Sequence, residues 1–146
     1  TGSRGASWWC RARSKEEMVR VLRAGIAACK QAGDDPGSSE WTAACMEQAP
    51  VTIFILNGEA PGKGLDEPLS IVDIQAIGGA IQTTLLAAQE LGLGALWICD
   101  VFYAYHQLLA WIGRDEQMVA AVSIGYPAES PDPRPRRPWQ EITTWL

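Results

Sequence analysis

The sequence of 146 residues has one histidine, His106, and four cysteines, Cys10, Cys29, Cys45 and Cys99, spaced 19, 16 and 54 residues apart. No two of these cysteines form a CxxC pair, and a single histidine cannot complete a Cys/His zinc cluster. There is no GxGxxG and no GxxxxGK[ST], so neither a dinucleotide fingerprint nor a P-loop is present. No serine or cysteine stands in a nucleophile-elbow context beside His106, whose neighbours Tyr103, Tyr105, Leu108 and Leu109 read as helix packing. The longest charge-free stretch, Ile74–Gln89, is 16 residues interrupted by glutamines and threonines, too short and too polar to span a bilayer. Nucleic acid is a poor partner for this chain. Its net charge is −5, and the seven basic and two acidic side chains of residues 1–30 give way to five basic and fifteen acidic ones beyond. With no signal peptide at the start, reduced thiols in a cytoplasm are the simplest expectation.

What is present is a chain 47% apolar and 20% charged, long enough for one domain with a real core. The first thirteen residues show no period and carry Trp8 and Trp9, a pair that needs something to bury it. Ser14-Lys15-Glu16-Glu17 matches a capping box, and Met18, Leu22, Ile26 and Cys29 follow at helical spacing, predicting a helix over 15–31. Residues 33–39 read as a loop and 40–48 as a short helix ended by Pro50. Val51–Leu56 is a β-branched and aromatic run, expected to be a strand buried on both faces. Asn57–Pro68, with its glycines and prolines, reads as a loop. Residues 70–91 form the strongest helical pattern, with Ile74, Ile77, Ile81, Leu85 and Ala88 on one stripe. The other face carries the small residues Ala76, Gly79, Ala80, Thr83 and Ala87, as in a core or a subunit interface. Short strands at 95–99 and 118–124 flank a helix at 103–112, and 127–138 is extended by its prolines. The pattern predicts an α/β or α+β domain in which 51–56, 95–99 and 118–124 neighbour one another under the long helix.

Two segments carry candidate chemistry. In Leu91–Asp100, Gly92 and Gly94 let a helix turn sharply into a strand and bring backbone groups to a concave surface; a plain helix–strand connection is the simpler alternative. In Pro133–Pro138, prolines hold the chain extended, so Arg134 and Arg136 share one side and Arg137 takes the other. Two guanidiniums on one side suit a phosphate dianion, and a solvated basic tail is the alternative.

Together these segments resemble the FMN-dependent nitroreductase family. The resemblance rests on Ala49–Ile55, on Ile77-Gly78-Gly79-Ala80-Ile81-Gln82 with Leu85–Ala88, on Leu91–Ile98, and on Gly125–Glu129 running into Pro133–Pro138. It implies a homodimeric α+β fold, a nitroreductase-like sheet flanked by helices, in which FMN sits at the dimer interface. It also implies ping-pong electron transfer from NAD(P)H to a small nitroaromatic or quinone-like acceptor. The backbone lying over the flavin maps to Trp97, Ile98, Cys99 and Asp100, and the phosphate grip maps to Arg134 and Arg136. The start of the long helix, around Gln75 and Ala76, maps to the part that approaches the ring from the second subunit. The family's opening R-R-S-x-R and S-x-x-N-x-Q-P-W segments have no match in residues 2–13. The expected correspondence is therefore to the C-terminal two-thirds of the family domain, with its first core strand ending near residue 1. A flavin-free ligand-binding or structural protein of the same fold is the alternative from another functional class.

Overall fold

The computed structural model describes residues 6–9, 15–61 and 68–145. Strand β1 (Ala6–Trp9) is followed by helices α1 (Lys15–Gln31) and α2 (Ser39–Gln48), strand β2 (Val51–Pro61) and the long helix α3 (Pro68–Glu90). Strand β3 (Gly94–Ile98) leads through a 3-10 turn (Asp100–Ala104) into α4 (Tyr105–Ile112), then β4 (Glu116–Gly125) and a last short helix, α5 (Trp139–Ile142). The four strands form one antiparallel sheet in the order β1-β2-β4-β3, with helices on both faces: an α+β fold.

The pleat explains why β2 and β4 are apolar almost throughout. Phe54 and Leu56 of β2 join Met118 and Ala121 of β4 in a core shared with Met18, Leu22 and Ile26 of α1 and Leu108 and Ile112 of α4. Ile55, Ala120 and Val122, joined by Val119 at an irregularity in the ladder, face the other way, onto Ile77 and Ile81 of α3. The expected stripe of α3 meets the sheet as read, with Ile74 and Leu85 packed at the margin of that second cluster. On its far side Ala76, Gly79, Thr83 and Ala87 are exposed, together with Ile71, Val72 and Leu86. Gly92, at φ +72°, ends α3: the amides of Gly92 and Leu93 turn back onto the carbonyls of Gln89 and Ala88, at 3.0 and 2.9 Å.

Several expectations change. Residues 57–61 continue β2 instead of starting a loop, because Asn57 and Pro61 still pair with Gln117 and Glu116 across an irregularity in the ladder. The aperiodic opening segment contains a strand, since Ala6–Trp9 pairs with Asn57–Phe54 at the edge of the sheet. The helix expected at 103 begins at Tyr105, the preceding residues being a 3-10 turn. The charge-free count understates α3: by length and composition, Ile71–Glu90 is apolar enough to cross a bilayer, at mean hydropathy 1.4. Here its stripe lies against β2 and β4. The capping box involves Ser14, which lies outside the described residues.

Candidate functional site

The site begins with the alternation of β3. Leu96 and Ile98 face the α1–α4 core, and Ile98 is fully buried there. Ala95 packs on the α3 side, and Trp97, two residues on, shares that face. The Trp97 indole reaches α3 at Gly78: its Cη2 atom lies 3.5 Å from the position a Cβ would take on residue 78. The side chain remains 37% exposed, so it forms an open aromatic shelf at the carboxyl end of the strand. Gln75, one turn before Gly78, is exposed on the same helix.

Beyond the shelf the chain turns. Cys99 adopts helical angles, and its carbonyl accepts from the Phe102 amide at 3.0 Å, closing the 3-10 turn that starts at Asp100. Burial pushes the Cys99 thiol up, the Asp100 carboxylate adds to the rise, and a hydrogen bond from Trp97 opposes it. Asp100 is half-buried, while Phe102 and Tyr103 expose their rings beside it. At the far end of the turn the Tyr105 hydroxyl accepts from the Met118 amide at 3.1 Å, tying the segment to β4.

The structure thus brings Gln75, Trp97, Cys99 and Asp100 to the region where β3 ends against α3. Ile98 contributes backbone there and sends its side chain into the core. Arg134 and Arg136 stand on the exposed segment that follows β4. The tail leaves the sheet at Gly125–Pro127, beside Gly94 at the opposite end of β3, and stays exposed from Tyr126 to Trp145. Among the described residues, no carboxylate pairs with Arg134, Arg136 or Arg137.

An open groove of about 330 Å³ occupies that opposite end, lined by Trp41, Cys45, Gly94, Leu96, Tyr126 and Glu129 among others. Burial, then Glu129, raises the Cys45 thiol. This groove lies away from the aromatic shelf. Sequence reasoning missed Phe102, which stands just ahead of the expected helix, and Gly25 and Gly78 as packing positions. A glycine inside a helical pattern was the available signal.

Fold and site together define the class: an antiparallel sheet between helices, with an aromatic shelf where β3 meets the long helix. The sequence matches the nitroreductase family over residues 10–126, and the chain belongs to that family. No curated protein matches it. Among solved structures it is similar to a Desulfovibrio desulfuricans chain assigned as a nitroreductase and solved in complex with FMN. That likeness has a TM-score of 0.67 and 23% identity, over 94% of this chain and 70% of that one. The NADPH:FMN oxidoreductase of Vibrio harveyi, complexed with NAD+, gives 0.69 at 17% identity, over 95% of this chain and 57% of that one. Nitroreductase A of Vibrio parahaemolyticus gives 0.70 at 17% identity, over 95% and 56%. At these identities the likeness is one of fold, and the chain spans little more than half of each Vibrio protein.

Proposed function

We propose that this chain carries FMN-dependent reductase chemistry, passing electrons from NAD(P)H to nitroaromatic or quinone-like acceptors. Family membership over residues 10–126 frames the reading. The observation that carries it is the half-exposed Trp97 indole, held across α3 at Gly78 and continued by Cys99 and Asp100. These residues suit FMN in kind. Trp97 offers an apolar face to a planar ring, the turn at 98–100 offers backbone donors and acceptors, and Arg134 and Arg136 are charge-matched to a phosphate. FMN, when bound, supplies the redox chemistry, and the protein supplies position and electrostatics. Asp100, as a carboxylate, raises the cost of any negative charge beside it.

The exposed face of α3 is the natural seat for a second copy. Ala76, Gly79 and Ala87 let backbones approach closely, and Ile71, Val72 and Leu86 leave apolar surface to cover. In such a homodimer Gln75 reaches the partner's site. The reading includes a soluble protein in the cytoplasm. The test uses purified protein with added FMN, followed by absorbance. Bound oxidised flavin bleached by NADPH, with re-oxidation by a quinone, supports the reductase. A protein that takes up no FMN sinks it and leaves the flavin-free alternative.

A further inference from the structure

Gly25 sits in the middle of α1 with an ordinary negative φ, so no backbone conformation calls for glycine there. Glycine inside a helix costs roughly 0.5–1 kcal/mol relative to alanine, and the structure shows what it makes room for. A Cβ on residue 25 would collide with the Tyr103 carbonyl oxygen, standing 2.7 Å from the Tyr103 carbonyl carbon and 2.8 Å from the Ala104 Cβ. Two of these three atoms are backbone, which has no rotamer to change. Tyr103 and Ala104 end the 3-10 turn that begins at Asp100, directly after Cys99.

We propose that Gly25 is a positioning residue for the candidate site: by admitting the Tyr103–Ala104 backbone against α1, it fixes where Cys99 and Asp100 stand. The segment has three anchors. Ile98 holds one end in the core, the Tyr105 hydroxyl holds the other on Met118, and the Gly25 contact fixes the last residues of the turn between them. Val101 and Ala104, both fully buried in the core that contains Leu22 and Ile26, lock the turn to α1 at the same level. A methyl group at residue 25 pushes the turn outward, and Cys99 and Asp100 move with it. The consequence for cofactor binding rests on the FMN reading above; the placement of the turn does not.

The test is Gly25→Ala beside a control, Met46→Val, which disturbs buried packing on α2. Both are compared with the parent well below their unfolding temperatures. Iodoacetamide alkylation of Cys99, followed by peptide mass spectrometry in flavin-free protein, reports the turn directly; FMN titration reports its consequence. Gly25→Ala should raise the Cys99 rate at least threefold and weaken FMN at least tenfold, with Met46→Val within twofold of the parent on both. If Gly25→Ala does not fold, Ala104→Val loads the same contact from the other side and carries the same expectation. A Cys99 rate within twofold of the parent, or an equal change in the control, overturns the proposal. If the parent itself takes up no FMN, the reductase reading falls while the Cys99 rates still decide the role of Gly25.

Discussion

Trp97 and Gly78 are fitted to each other across β3 and α3, the indole Cη2 lying 3.5 Å from where a Cβ on residue 78 would stand. That distance is ordinary van der Waals contact, so one methyl group fits and anything larger does not. Gly78→Ala should therefore fold with stability unchanged or raised, since alanine gains roughly 0.5–1 kcal/mol of helix propensity. Gly78→Leu should displace the indole into water. Thermal unfolding should show the leucine variant below the alanine variant. Its tryptophan emission should shift to the red, and that shift should vanish on a Trp97→Phe background. Unchanged emission would mean that the ring does not rest on Gly78.

Gly94 and Gly125, partners at one end of the β3–β4 ladder, make a graded test of packing. A Cβ on Gly125 would stand 2.7 Å from Cδ of Pro50, and a proline ring, closed onto its own backbone, cannot swing aside. A Cβ on Gly94 would meet Pro127 at 3.4 Å, which a small shift of the tail relieves. Gly125→Ala should cost about 1–3 kcal/mol, the usual range for overpacking, and Gly94→Ala clearly less. Urea midpoints at constant m-value measure both. The reverse order would show the tail held more firmly at Gly94 than its exposed course implies.

Arg114 and Glu116 form a two-pronged pair just before and within β4, the Arg114 Nε donating to Glu116 Oε2 at 2.9 Å and Nη2 to Oε1. Partial burial pushes the Glu116 carboxyl up, but the bonds from Arg114 and nearby backbone outweigh it and hold the group below its ordinary value of 4.5. A depressed carboxyl stabilises the fold above the unfolded-state pKa, and that contribution is lost as pH falls through the lower folded-state value. Glu116→Gln should accordingly cost about 1–2 kcal/mol at pH 7 and progressively less below pH 4.5. Urea unfolding of parent and variant at pH 7 and pH 3 decides it: a gap that does not narrow in acid removes the ion pair as the cause.

Legibility in the sequence followed the range of the interactions involved. The stripe Ile74, Ile77, Ile81, Leu85, Ala88 specifies its helix and its buried face locally, and the structure packs the first four on the sheet and buries Ala88. Residues 57–61 did not read as strand, because Gly58 and Pro61 carry turn chemistry that pairing with Gln117 and Glu116 overrides. The four residues of β1 are too few to show a period, and their strand exists through its ladder with β2. At the site, Trp97 was legible through a resemblance, and Gln75, Cys99 and Asp100 with it. The local mark on Gly25 is a glycine inside a helical pattern, and its requirement comes from a carbonyl 78 residues away. Arg134 and Arg136 were legible as a pair and not as neighbours of the shelf, since the path of the tail is not written in its own residues.

That pair makes the sharpest prediction about a ligand. The segment from Pro127 to Pro138 is exposed and forms neither helix nor strand; the alternation expected of a proline-held stretch would put Arg134 and Arg136 on one side and Arg137 on the other. None of the three has a carboxylate partner among the described residues. A hydrogen bond to a charged group is worth about 1.5–3 kcal/mol, so Arg136→Ala should weaken FMN roughly ten- to a hundredfold. Arg134→Ala should behave alike and Arg137→Ala should do much less. Because the contacts are between charges on an exposed strand, affinity should fall as salt is added. Riboflavin, which lacks the phosphate, supplies the internal check: its affinity should be indifferent to all three substitutions. Equal losses at 136 and 137, or the same loss for riboflavin as for FMN, would separate the arginines from the phosphate.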